Sequence, residues 1–344
     1  MTGGRKGVLK NTVIEDARVL TADYLPNKMV HRDNEREAIA SNLRPILEEE
    51  PPIDMLIYGP PGTGKTAMAE YVVDELEKHS PEVLSGFVDG FGQPSRFEVY
   101  YKLLRDMNEF VTRGGTSTGE LVDKFEEKAY DSPMVVVLDE ADQIKDEKVL
   151  YDLSRFQNAA IILIANREDV FTDMDDRIRS SFSALEEIRF KPYTSDQLFD
   201  ILQDRRKYGL RDDSVTDSVL KLIASKSNGD ARVAISTLRK AAQKAEKKGR
   251  ENISREAVED SFSDAIEEDR SVSLQKLNED QKKLYKILKN EEEISSGPLF
   301  EKYRDKVQDG PTDRTLRRYM KKMEAYGLIE SSGSTRDRVY RLKN

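Results

Sequence analysis

The hydrophobic pattern changes character twice along the chain. In the first half, short unbroken apolar runs stand out: "IDMLIYG" (53–59), "MVVVLDEAD" (134–142) and "AAIILIANRED" (159–169). Each ends in polar residues, as a strand does when both its faces are buried in a parallel sheet. Amphipathic stretches of helical spacing lie between them, such as "TAMAEYVVDELEKH" (66–79) and "RFEVYYKLLRDMNEF" (96–110). Strand alternating with helix predicts a doubly wound α/β layer whose site lies at the strand ends. Beyond Pro192 no strand-like run occurs until about Ile266. "SDQLFDILQDRRKYG", "TDSVLKLIASKSNG" and "DARVAISTLRKAAQKAEKKG" each begin near a capping residue and end near Gly, which predicts a small helical domain. A polar link, "EEDRSVSL" (267–274), follows.

The C-terminal part reads as three helices and a hairpin. Asn278 and Gln281 in "NEDQKKLYKILKN" have capping-box spacing. "GPLFEKYRDKV" and "TDRTLRRYMKKMEAYG" give the next two helices, and "LIESSGSTRDRVYRLK" gives two short strands around a Ser/Gly turn. That is the outline of a winged helix. The expected partition is 1–192, 193–270 and 271–344.

Composition changes this picture little. Hydrophobic residues make up 37% and charged residues 35%, a water-facing globular balance. No apolar run reaches the length of a membrane span, and the N-terminus has no apolar signal core. The chain has no cysteine and two histidines, which excludes disulfides and disfavours zinc. A cytoplasmic, nucleoid-associated protein is expected. Charge is unevenly placed. Residues Val272–Asn344 carry 17 Lys and Arg against 12 Asp and Glu, a net of +5, and the rest carries −14. A basic end on an acidic body points to an anionic partner, against the plainer reading of surface variation.

Gly59-Pro60-Pro61-Gly62-Thr63-Gly64-Lys65-Thr66 fits the phosphate-binding pattern G-x-x-x-x-G-K-[ST], between a predicted strand and helix. The glycines let backbone N–H groups converge on phosphate oxygens, and the helix N-terminus adds partial positive charge. Lys65 would reach the β- and γ-phosphates of ATP or ADP, and Thr66 would ligate Mg²⁺. Asp139 follows Lys65 by 74 residues at the end of "VVVLD", where it would hold Mg²⁺ through water. Glu140 would polarise the attacking water as general base. Asn166 ends the next strand, to orient that water or simply to form the turn. Arg177 and Arg179 in "DDRIRSSF" offer an arginine finger to a neighbouring subunit, or surface ion pairs. Arg232, in the first turn of a helix, could swing over the phosphates or make a surface ion pair.

Along "TDRTLRRYMKKMEAYG", 100° per residue puts Leu316, Met320 and Met323 on one face. Arg314, Arg317, Arg318 and Lys321 fall on the opposite face, either a DNA-reading front or a solvated one. Arg336, Arg338 and Arg341 fall on the wing, within reach of phosphates or the minor groove.

Together, the phosphate loop, "VVVLDEAD", Asn166, "DDRIRSS" and "GDAR" resemble the AAA+ ATPases. "YLPNKMVHRDNEREAIASNL", "FVDGFGQPSRFEVYYKLL", "TSTGEL", "EEIRFKPYTSDQLFDILQDR" and "NGDARVAISTLRKAAQKAE" resemble the archaeal replication initiators of the origin-recognition-complex and cell-division-control-six type. The resemblance runs from about residue 10 to the end. It implies an AAA+ parallel-sheet domain, a helical lid and a C-terminal winged helix. It implies that Val30, His31 and Arg32 lie near adenine, with Tyr193 and Arg205 as lid residues at the nucleotide. For His31, a packing or capping role stays open. It makes Arg177 the finger and Arg179 the runner-up. The segment "VTRGGTSTGEL" is brief and carries one base, Arg113, the candidate DNA contact there. The function implied is that of an ATP-dependent initiator which binds origin duplex and recruits the replicative helicase. Hydrolysis would be a slow switch, acting with another copy or a paralogue. The alternatives are a DNA-binding accessory paralogue without helicase loading and a ring-forming branch-migration-like motor.

Overall fold

In the computed structural model, residues 13–48, 50–92, 94–144, 146–307, 310–333 and 338–343 are described. The chain divides into two compact units. One is Thr21–Ile201; the other joins the segment ending at Leu20 to Leu202–Asn344.

The first unit is built on a parallel sheet of β1 (Met55–Tyr58), β2 (Leu84–Asp89), β3 (Met134–Asp139), β4 (Ala159–Ala165) and β5 (Glu186–Arg189), in the order β2-β3-β4-β1-β5. The three apolar runs become the three central strands. β4 is buried along its whole length, and β3 from Met134 to Leu138. Alternate residues then serve opposite faces. Val135, Val137, Ile162 and Ile164 pack under α1 (Asp33–Leu43) and α2 (Lys65–His79). Val136, Leu138, Ile161 and Leu163 pack against α3 (Arg96–Asp106), α4 (Thr118–Asp131) and α5 (Lys148–Leu153). A short α6 (Asp176–Ser181) follows β4. Ser95 with Glu98, and Ser117 with Glu120, close full capping boxes on α3 and α4; each such cap stabilises by about 1 kcal/mol.

The sequence pattern overran in one place. The helix expected over 96–110 stops at Asp106, because Asn108 takes φ 58. The Glu109 N–H then closes on the Leu104 carbonyl at 2.8 Å, a Schellman stop that asparagine tolerates. "EEIR", read as part of the lid entry, forms instead the edge strand β5 against β1.

The division falls within α7 (Ser195–Gly209), and the second unit continues with α8 (Asp217–Lys226), α9 (Ala231–Lys247) and α10 (Arg255–Gln275). Residues 13–20 fold onto these helices. Glu246 accepts from the Val13 and Ile14 amides, and the Arg211 N–H donates to the Val13 carbonyl at 2.9 Å. The expected polar link at 267–274 is helix, inside α10. Its polarity has a local cause: Glu268 pairs with Arg239 and Lys240, and Asp269 with Arg232, all on α9. No Gly or Pro interrupts it.

The C-terminal part holds α11 (Glu279–Leu288), β6 (Ile294–Ser295), α12 (Ser296–Arg304), α13 (Asp313–Ala325), β7 (Ile329–Ser332) and β8 (Val339–Leu342). The capping box of Asn278 and Gln281 is present. Three helices and a hairpin match the expected outline, and β6 adds a third strand in the antiparallel order β6-β8-β7. Leu284, Leu299, Tyr303, Leu316, Met320 and Tyr340 share one core.

Candidate functional site

The sheet order places the end of β4 beside the end of β1, with Tyr58 opposite Ala165. Hence the loop from Gly59 and the side chain of Asn166 meet. The Lys65 Nζ donates to the carbonyls of Gly59 (2.8 Å) and Pro60 (3.0 Å) and to Asn166 Oδ1 (3.1 Å). Thr66 Oγ1 donates to Asp139 Oδ2 at 2.5 Å. Thr63 is buried, and its hydroxyl donates to the Pro60 carbonyl. Lys65, Thr66, Asp139 and Asn166, drawn from three separated segments, are thus brought into one cluster.

Two glycines of the loop are required by contact. A Cβ on Gly59 would lie 2.1 Å from the Phe190 carbonyl oxygen; one on Gly64, at φ +88, would lie 2.8 Å from the Tyr193 hydroxyl. Gly62 also takes positive φ, at 70. The first turn of a helix such as α2 is a general anion site, since its N–H groups have no partner within the helix.

Burial pushes the Asp139 carboxyl above the usual range, opposed by the Thr66 hydroxyl, the Glu140 amide and the Lys65 ammonium. A buried carboxylate of this kind is relieved by a cation beside it. Among the described residues no cluster of three His, Asp or Glu side chains forms a protein-only metal site. One hydroxyl and one carboxylate suit Mg²⁺, which shares such protein oxygens with phosphates. The donor set therefore fits a magnesium nucleotide. Glu140 is buried and held in the left-handed region, at φ 49 and ψ 45. A non-glycine residue there stores strain, which concentrates at functional positions.

The adenine-side residues are arranged differently from one another. His31 sits at φ 62 with its Nε2 2.7 Å from Asp200. Val30 is half-buried. The Arg32 guanidinium is buried: it pairs with Glu35 at 2.7 Å, donates to the Lys191 carbonyl at 2.6 Å, and stacks 4.1 Å from the Tyr193 ring centre. Its contacts thus fix Tyr193 against Gly64. Glu70, one turn beyond Thr66 on α2, escaped the sequence reading. Its carboxyl is raised by burial and by the charges of Asp139 and Asp23. The i, i+4 spacing from Thr66 was the available signal.

The remaining candidates lie apart from this cluster or in the other unit. Arg177 and Arg179 are exposed on α6; Arg179 pairs with Asp176 at 2.7 Å. Arg113 is exposed, 3.5 Å from Glu98 and 6.0 Å from the Tyr101 ring centre. In the second unit, Arg205 is buried and donates to the Val19 carbonyl at 3.0 Å. Arg232 lies in the first turn of α9, 3.1 Å from Asp269. On α13, Leu316, Met320 and Met323 are buried while Arg314, Arg317, Arg318 and Lys321 are all exposed. Arg338 is half-buried, and Arg341 pairs with Glu330 across β8 and β7 at 2.7 Å. Arg336 lies outside the described residues.

A model of the AAA domain matches residues 55–170, and one of the Cdc6 AAA+ ATPase-type lid domain matches 199–263. The ORC1-type DNA replication protein 9 of Halobacterium salinarum is 36% identical over 99% of this chain and 97% of its own length. This chain belongs to the ORC1-type DNA replication proteins. The ORC1-type DNA replication protein 1 of Methanothermobacter thermautotrophicus is 30% identical over 96% of this chain and 91% of its own. The Aeropyrum pernix ORC1 protein, solved in complex with DNA, superimposes with a TM-score of 0.74 at 26% identity, covering 97% of this chain and 95% of that one. Family membership makes this ORC1-type chain a nucleotide-binding AAA+ protein of DNA replication and origin recognition. Among the described residues no helix is long and apolar enough to cross a membrane.

Proposed function

We propose that this ORC1-type protein is an ATP-switched replication initiator that holds origin duplex through α13. Its functional parts would be an ATPase (1–192), a lid (193–270) and a winged helix (271–344). The observation that carries the reading is one chain with two features. The Lys65–Thr66–Asp139–Asn166 cluster serves a magnesium nucleotide. The second feature is α13, with a buried apolar back and four exposed basic side chains in front. Lys65 and the loop amides bind the phosphates, and Thr66 and Asp139 hold Mg²⁺, which supplies charge neutralisation at the phosphates. Glu140 takes the proton of the attacking water, and Asn166 holds that water or the γ-phosphate. Tyr193, beside Gly64 in the same unit, completes the nucleotide's surroundings there, and Arg205 and Arg232 are the lid's candidate residues. Helicase recruitment and pairing with another copy or a paralogue on DNA follow the same reading. DNA contact by Arg113 is the weakest element, since its charge is already answered by Glu98.

The test is duplex binding with ATP and with ADP across a salt series, for wild type, Arg317→Ala/Arg318→Ala and Lys65→Ala. Tight, salt-steep binding is expected, with the helix double mutant losing about two units of the salt slope. Lys65→Ala should lose nucleotide binding and the difference between ATP and ADP. If the double mutant binds as wild type does, the basic face is solvated surface and the chain meets a protein client instead.

A further inference from the structure

Gly90, the residue after β2, has no role in the reading above. Its amide donates to the Asp139 carbonyl at 2.8 Å. A Cβ built on it would lie 2.3 Å from the Glu140 carbonyl oxygen, 2.9 Å from the Asp139 carbonyl oxygen and 3.1 Å from the Glu140 carbonyl carbon. All three are backbone atoms, so no rotamer change relieves the clash. β2 and β3 pair in register up to Asp89 and Asp139, which delivers Gly90 directly against the next peptide. That peptide leads into Glu140 at φ 49, and the Glu140 carbonyl accepts the Gln143 amide at 2.7 Å.

We infer that Gly90 is a positioning residue for Glu140: its missing side chain lets the end of β2 press on the Asp139–Glu140 peptide and hold the glutamate in its left-handed turn. The Gly90 N–H holds the Asp139 carbonyl before Glu140 and the Gln143 N–H holds the Glu140 carbonyl after it. Any side chain at position 90 pushes the Glu140 carbonyl away and rotates the carboxylate off its line to the water. The inference deepens the reading of Glu140 as general base and rests on it.

The experiment compares Gly90→Ala, Glu140→Gln, the two combined, and Gly114→Ala, whose Cβ would meet open space. Readouts are ATP turnover, affinity for a fluorescent ATP analogue, and amide hydrogen exchange of the full chain. Gly90→Ala should lower turnover about tenfold or more with nucleotide affinity within about threefold, and should speed Gln143 amide exchange about tenfold. Added to Glu140→Gln it should cost nothing further. Gly114→Ala should match wild type. If Glu140→Gln keeps full turnover, the base reading falls, and this inference with it. If Glu140→Gln loses turnover and Gly90→Ala does not, the inference alone falls. If Gly90→Ala does not fold, exchange in the wild type decides. Gly90 and Gln143 amides opening together, with protection within about threefold, supports the inference; Gln143 opening independently overturns it.

Discussion

At the residue scale, the instructive case is Arg32. Its charge in "VHRDNER" resembles a ligand for nucleotide, yet the guanidinium is spent inside the protein on Glu35, the Lys191 carbonyl and the Tyr193 and Phe190 rings. The arrangement uses both the fork and the flat face of arginine, which lysine cannot copy. Arg32→Lys should therefore lose about 1–2 kcal/mol of stability, and Arg32→Ala about 3 kcal/mol, because Glu35 is left largely buried and unanswered. Urea unfolding reads this, and a nucleotide titration should show weakened binding through a loosened Tyr193–Gly64 contact. A lysine variant as stable as wild type would show that the stack and the second hydrogen bond contribute nothing. The sequence could expect Lys65, Thr66 and Asp139 to meet, as they do, because the motif sets residue type at fixed spacing. It could not show that the Arg32 guanidinium is buried, because that depends on which carbonyls and rings the fold brings near.

At the element scale, legibility followed burial on two faces. β3, apolar up to Leu138, and β4, apolar throughout, are central, so they read plainly. β2 ("LSGFVD") is buried only at alternate positions, and β5 ("EEIR") only at Ile188, so neither gave a continuous run. α10 was misread where its polar face meets α9, since a helix side made of ion pairs looks like a linker. Asp54, just before β1, belongs to this scale. Its carboxylate accepts the Ile161 amide of β4 at 2.9 Å, and burial raises its pKa to about 6, against that hydrogen bond. A folded-state pKa above the unfolded value favours the folded state fully below pH of about 4. That contribution is lost as pH climbs through about 6. Asp54→Asn keeps a carbonyl for the Ile161 amide and removes the charge. It should match wild type near pH 4 and exceed it by about 1–2 kcal/mol above pH 7, a figure discounted for the half-buried site. Denaturation across pH reads the difference, and a gap of the opposite sign, or none, would refute the assignment.

At the scale of the whole molecule, the question is whether one chain contains a complete ATPase. In the function we propose, the cluster around Lys65 and Glu140 would supply phosphate, metal and base groups, but both finger candidates are exposed on α6. Asp176 and the Met174 carbonyl take the Arg179 guanidinium. Among the described residues no carboxylate lies within ion-pair distance of the Arg177 guanidinium; its backbone N–H donates to Asp175 and its carbonyl accepts from the Ser181 hydroxyl. A cation held outward and uncommitted suits a phosphate on a second copy, which selects Arg177 over Arg179 as the finger we propose. Turnover should then rise more steeply than linearly with protein concentration. Arg177→Ala keeps an intact nucleotide site and lacks the finger; Lys65→Ala keeps the finger and lacks the site. Each should be inactive alone. Mixed in equal amounts they should recover activity about tenfold or more above either, because each Arg177→Ala site can meet an intact Arg177 from its partner. Arg179→Ala should leave turnover within about twofold of wild type. Failure of the mixture, with both single variants still inactive, would place Arg177 in service of its own chain and make the slow switch a property of the monomer.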